Sequence, residues 1–280
     1  MIRASMGDQT YWNEWKKFRE ERIAIEWEQI QKPANPIYGP QYVWNSTQHH
    51  LRFILTLYSR GDPIDELGQY FPGLLDAWAL SNRLADELCA AHGLQTCRDW
   101  TFALTNFNHY NWCFWLVGLA LALEVPDAQW QRLLALIGGA GEDILLDRVI
   151  ASRQPDRPLG TRLLHPKPYA RLRQAIDAPP AQQAGLLRDF VAHWYPELAR
   201  PGREELWWYT FGNDNLAGGS YFGRWCLEAV AAVKAFGLDD SLCLGHEHYP
   251  GDLLRPAGPS THAPRPTPRR GRWARLFGRA

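Results

Sequence analysis

The sequence predicts an all-α protein, and three observations carry that expectation. Leu and Ala together number 67 of 280 residues, against 18 Val and Ile; the first two favour helices, whereas β-branched residues favour strands. Apolar residues recur at i, i+3, i+4 and i+7 along most of the chain, which is the stripe of an amphipathic helix. With 14 Trp, 11 Tyr and 11 Phe, most of the chain is too aromatic to be intrinsically disordered.

The elements follow in order. Between Tyr11 and Ile30, the residues Trp12, Trp15, Ile23, Trp27 and Ile30 fall near helical spacing, and Pro33 and Pro36 end the helix, because proline neither continues a helix nor favours one before it. Leu51, Ile54, Leu55 and Tyr58 form the stripe of a second helix, stopped at Gly61 by a C-terminal glycine cap. Asp62-Pro63 reads as an N-cap and first-turn proline opening another helix. Periodicity predicts helices over 74–92, 98–124 and 127–137. Gly138-Gly-Ala-Gly141 then interrupts the pattern and is taken as the boundary between an N-terminal helical domain, 1–137, and a C-terminal one, 138–254. Helices are predicted in the second part near 142–152, 167–176, 181–194 and 219–236. From 255 to 280 the chain is basic and rich in Pro and Arg, the composition of a disordered tail.

Charge and composition exclude several function classes. Lys+Arg and Asp+Glu each total 30, but seven arginines and no acid lie beyond Leu254, so residues 1–254 carry a formal charge of −7. That body lacks the basic, aromatic-interleaved face of a nucleic-acid binder. The longest apolar run, Trp112–Leu123, has twelve residues, short of the about 18 that a membrane span needs. The opening residues hold no apolar segment, so a cytoplasmic location is expected. Five cysteines without a CxxC pair argue against a disulfide framework or a cysteine-built zinc site.

Candidate chemistry is sparse. His49-His50 and His246-Glu247-His248 are the only histidine clusters, and HExxH does not occur. In an extended loop His246 and His248 would face one side; with Glu228 they make a metal-dependent hydrolase the alternative function, against loop histidines packed on aromatics. Gly138–Gly141 has neither the lysine of a P-loop nor the strand of a dinucleotide fold, and the segment 212–219 is a turn-rich loop. Glu228 stands at i+3 from Trp225 and i+7 from Tyr221, on an apolar helical face. A carboxyl buried there must be paired or protonated, which fits hydrogen bonding to Tyr, Trp or Arg, or an acid–base role. No nucleophile motif or paired-carboxylate motif appears, so no catalytic residue, metal or cofactor is assigned.

The C-terminal half carries a resemblance. Tyr221-Phe-Gly223-Arg-Trp225-Cys-Leu-Glu228-Ala, then Gly237-Leu-Asp-Asp240-Ser, then Tyr249-Pro250-Gly-Asp252-Leu resemble the signature of the PoNi family. Leu146–Ile150, Pro166–Tyr169, Val191–Tyr195 and Leu57–Asp62 also resemble it, and Gly251 departs from it where members often carry an aromatic residue. The resemblance covers about residues 10–254. It implies an all-helical immunity protein against a polymorphic nuclease effector delivered between competing bacteria, one that blocks a DNase toxin by binding, without catalysis. Tyr221, Gly223, Trp225, Glu228, Asp240 and Pro250 are then expected to build a shared framework. Toxin contact is expected at acidic and aromatic loop positions, Asp214, Asp239, Glu247, Tyr249 and Asp252, for which turn capping is the competing role.

Overall fold

The computed structural model describes residues 1–32, 35–200, 202, 205–209 and 216–263. Their regular elements are all helical. In order they are α1 (Gln9–Ile30), α2 (Gly39–Arg60), α3 (Phe71–His92), α4 (Phe107–Ala122), α5 (Asp127–Ile137), α6 (Ile144–Ala151), α7 (Pro166–Asp177), α8 (Pro180–Glu197) and α9 (Leu227–Phe236), with short 3₁₀ turns between some of them.

The helices pair as their apolar stripes dictate: α1 lies on α2, α2 on α3 and α7 on α8. The apolar run becomes α4, whose residues are all buried. It packs against α9, from the other half of the chain. Gly118 makes that crossing close, since a Cβ there would lie 2.7 Å from the Leu227 carbonyl oxygen. Trp112 on α4 meets Trp44 of α2 at 4.8 Å between ring centroids. One turn on, Trp115 meets Trp208 at 4.7 Å, and Trp208 stacks on Trp194 of α8. The hydrophobic core is therefore continuous across Gly138–Gly141. No helix among the described residues is long and apolar enough to cross a membrane.

Several predicted boundaries shift, each for a local reason. Asp62-Pro63 does not open a helix: the Asp62 carboxylate is held by Arg60, and α3 begins at Phe71 with Pro72 in its first turn. The helix predicted from 98 begins only at Phe107, where Asn106 accepts from the Asn108 and His109 amides. The helix predicted from 219 begins at Leu227, so Tyr221 and Trp225 precede α9 and share no helical face with Glu228. Order also continues past Leu254: residues 255–263, assigned to the tail by composition, fold back onto the body, whereas 264–280 lie outside the described residues.

Candidate functional site

The segment 221–226 is an extended strap laid across the N-terminal helices. Tyr11 Oη donates to the Tyr221 carbonyl (2.6 Å), and Ser59 Oγ donates to the Phe222 carbonyl (2.7 Å). Trp225 Nε1 donates back to Ser59 Oγ at 2.8 Å. That return requires Gly223: its φ of 100° suits glycine, and a Cβ would lie 2.0 Å from Trp225 Nε1. The Gly-x-Trp spacing thus encodes a fold-back that brings the indole onto α2. On the other side, the Cys226 amide donates to the His248 carbonyl (2.8 Å), tying the strap to the C-terminal loop.

Glu228 follows in the first turn of α9 and is fully buried. Its Oε1 accepts from Tyr169 Oη (2.9 Å) and from Asn111 Nδ2 (3.0 Å), while Asn111 Oδ1 accepts from Trp208 Nε1 (2.8 Å). Its Oε2 has no well-aligned partner; the Trp115 and Trp194 indoles stand near enough to favour the carboxylate but make no full hydrogen bond. Burial dominates and pushes the carboxyl up to about 7. The group joins α4, α7 and α9.

Two further carboxylates organise the C-terminal loop. Asp240, buried, accepts from Tyr249 Oη (2.6 Å) and from Arg255 Nη1 (2.8 Å). Asp252, also buried, pairs with Arg3 Nε at 2.7 Å and accepts from Ser260 Oγ and Thr261 Oγ1, each at 2.8 Å. Burial alone would raise Asp252, but the hydrogen bonds from Thr261, Arg3 and Ser260 outweigh it and hold its carboxyl below the usual range. His262 completes the closure, its Nε2 2.8 Å from Tyr58 Oη and its ring edge-on to Trp225 at 5.2 Å. Gly251 makes room for this returning chain, since a Cβ there would lie 2.8 Å from Thr261 Oγ1.

The structure sorts the expected site residues by exposure. Tyr221, Gly223, Trp225, Glu228, Asp240 and Pro250 are buried. Tyr249 and Asp252, expected at a partner surface, are buried as well, their polar atoms spent on Asp240 and on Arg3, Ser260 and Thr261. As placed they cannot touch a partner. Asp239 and Glu247 are exposed on the same loop, beside Leu242 and Leu244, which are 51% and 39% exposed. Asp214 lies outside the described residues.

The structure does not bring His246, His248 and Glu228 together as one metal-binding group among the described residues. The His246 and His248 rings are 5.6 Å apart, but Glu228 is sealed in the core, and no three His, Cys, Asp or Glu side chains among the described residues could hold a metal ion. His248 is buried against Trp194 and Tyr195, as the packing reading expects, and burial lowers it to about 4. Arg3, Arg255, Ser260, Thr261 and His262 were missed as framework residues. Partners some 200 residues apart in sequence leave no periodic signal, and the Pro- and Arg-rich composition masked the last four.

Two family models match the chain: the N-terminal model of the PoNe immunity protein (PoNi) over residues 3–135, and the C-terminal model of PoNe immunity proteins (PoNi) over 141–253. The packed segment 255–263 lies beyond the second match. Among solved structures, the crystal structure of protein PA2201 from Pseudomonas aeruginosa is similar, with a TM-score of 0.67 at 17% identity over 92% of each chain. At that identity the likeness is one of fold. No curated protein matches the sequence.

Proposed function

The chain belongs to the PoNe immunity proteins, PoNi, and from that membership we propose that it neutralises one cognate DNase toxin by direct, stoichiometric contact in the cytoplasm. The observation that carries this reading is the pair of family matches, which together span nearly all of residues 3–253. The reading assigns no catalytic residue and no cofactor to the chain.

Electrostatics and exposure support a mode of contact. A nuclease must attract phosphate, so its DNA-facing surface is positive. The body of this protein, at formal −7 over residues 1–254, has the matching sign, which accelerates encounter and orients it. Charge alone does not discriminate between toxins, so the contact needs exposed apolar anchors among the acids. The loop carrying Asp239, Leu242, Leu244 and Glu247 offers both, and we place toxin recognition there.

Mixing the purified protein with the nuclease domain of the cognate toxin tests the proposal. DNA cleavage should be abolished at equimolar ratio. In stopped-flow mixing the association rate should fall steeply with salt while dissociation changes little. A nuclease that stays active with excess protein present would refute the function; an association rate indifferent to salt would remove the electrostatic part alone.

A further inference from the structure

A cavity of about 220 Å³ opens between α1, α2 and the residues leading into the strap. Trp15, Arg19, Arg22, His49, Arg52 and Gly219 are among its walls. Four of these six residues are basic, in a protein whose body, residues 1–254, is acidic overall.

The basic residues divide into two pairs. Arg22 and His49 already share an acidic partner: both reach the buried Glu26 carboxylate, Arg22 Nε at 2.7 Å and His49 Nδ1 at 2.8 Å. Arg19 and Arg52 do not. Arg19 is 6% exposed; its Nη2 donates to the Gly219 carbonyl (2.6 Å), while its Nη1 is buried with no well-aligned partner and only the neutral Tyr11 hydroxyl stands near the guanidinium. Arg52 makes no hydrogen bond and no ion pair with the described residues. Its guanidinium lies over the Trp207 ring at 4.7 Å and its buried Nε is unpaired. Burial lowers each guanidinium to about 10, and Arg19 presses Arg52 further down by like-charge repulsion. Both still carry charge at neutral pH.

Two mutually repelling cations, Arg19 buried and Arg52 half-buried, without a counter-ion among the described residues are costly, because a charge withdrawn from water is tolerated when it is paired. The arrangement makes physical sense when an anion supplies the missing charge. Two guanidinium groups call for two negative charges, and their planar forks suit phosphate oxygens. A carboxylate or a phosphodiester brings only one charge; a phosphate monoester or inorganic phosphate carries between about −1.5 and −2 at neutral pH.

We propose that this cavity is a binding site for a phosphate dianion, free or as a terminal phosphate ester, held by Arg19 and Arg52. The proposal is independent of toxin binding, and its test needs no toxin.

Thermal unfolding and isothermal titration calorimetry of the full chain, with inorganic phosphate and glycerol phosphate as probes at constant ionic strength, provide that test. Both probes should stabilise saturably, with a midpoint that rises with log concentration. Tighter binding of the ester identifies a phosphorylated small molecule as the ligand; equal binding identifies phosphate itself. Acetate and a dinucleotide phosphodiester should do neither. In Arg52→Met, phosphate affinity should drop by roughly 10-fold or more, the loss expected for one charge-assisted hydrogen-bond set. The ligand-free midpoint should stay level or rise, because a half-buried charge with no ion pair among the described residues has gone. A purely structural Arg52 would give the opposite, a lower ligand-free midpoint. Arg52→Lys, which keeps the charge and loses the fork, should bind with intermediate affinity, and Lys17→Ala, on the exposed face of α1, should bind as wild type. Absence of saturable phosphate stabilisation, unchanged affinity in Arg52→Met, or equal binding of acetate would overturn the proposal.

Discussion

Two sets of residues in the C-terminal loop region, interleaved in sequence, have opposite physical characters. Asp240, Tyr249 and Asp252 are buried, and each polar atom described for them has a partner within the fold. Asp239, Leu242, Leu244 and Glu247, interleaved among them, face solvent. The buried set fastens the N-terminus, the strap and the returning chain to one another. The exposed set makes fewer ties: Asp239 Oδ1 accepts from the Ser241 amide (2.9 Å), a local turn cap. Acidic residues in one short loop therefore split by burial into fasteners and exposed positions, the latter the proposed contacts, and residue type does not separate them.

The largest expected effect comes from breaking a fastener. Asp252→Ala leaves the mostly buried Arg3 with the Tyr58 and Asp62 carbonyls but no carboxylate, and frees Ser260 and Thr261, so denaturant unfolding should show a loss of about 3 kcal/mol. Truncation after Leu254 should approach that loss, because it removes Arg255, Ser260, Thr261 and His262 together. Truncation after Ala263 keeps all four and should unfold as the full chain does.

Next comes Glu228, which sharpens the comparison through pH. Its folded pKa of about 7 lies above that of an exposed glutamate, so the native state holds the proton longer. Its contribution is full below about pH 4 and is lost as pH rises through about 7, a change of about 3 kcal/mol. Glu228→Gln, neutral throughout, should flatten the stability profile between those limits and be the more stable form at pH 8.

Tyr249→Phe removes one hydrogen bond to a charged acceptor and little volume; unfolding experiments should register a loss of about 2 kcal/mol. The smallest effect on stability belongs to the exposed set. Asp239→Lys combined with Glu247→Lys should shift stability by less than about 0.5 kcal/mol yet slow association with the toxin domain. If that double variant unfolds early, or if it associates as fast as wild type, the division between fasteners and contacts does not hold on this loop.

The sequence alone settled the helical class, the positions of most helices and the identity of α4 as the most apolar element. These follow from local terms, the 3.6-residue spacing of apolar side chains and the Leu and Ala content, which any window of the chain reveals. Local spacing did not place the signature residues: the helical face on which it set Glu228 with Tyr221 and Trp225 does not form, because those two precede α9. The tertiary structure alone decided which partner each residue has. Trp225 reaches Ser59 across 166 positions, Arg3 reaches Asp252 across 249, and His262 reaches Tyr58 across 204. It also decided that Tyr249 and Asp252 face inward while Asp239 and Glu247 face water, and that Arg19 and Arg52 meet at one cavity. Burial and pairing belong to the packed chain: one carboxylate in a polar loop has the same sequence signature whether a neighbour 250 residues away covers it or solvent does, and only the closure of the core distinguishes them.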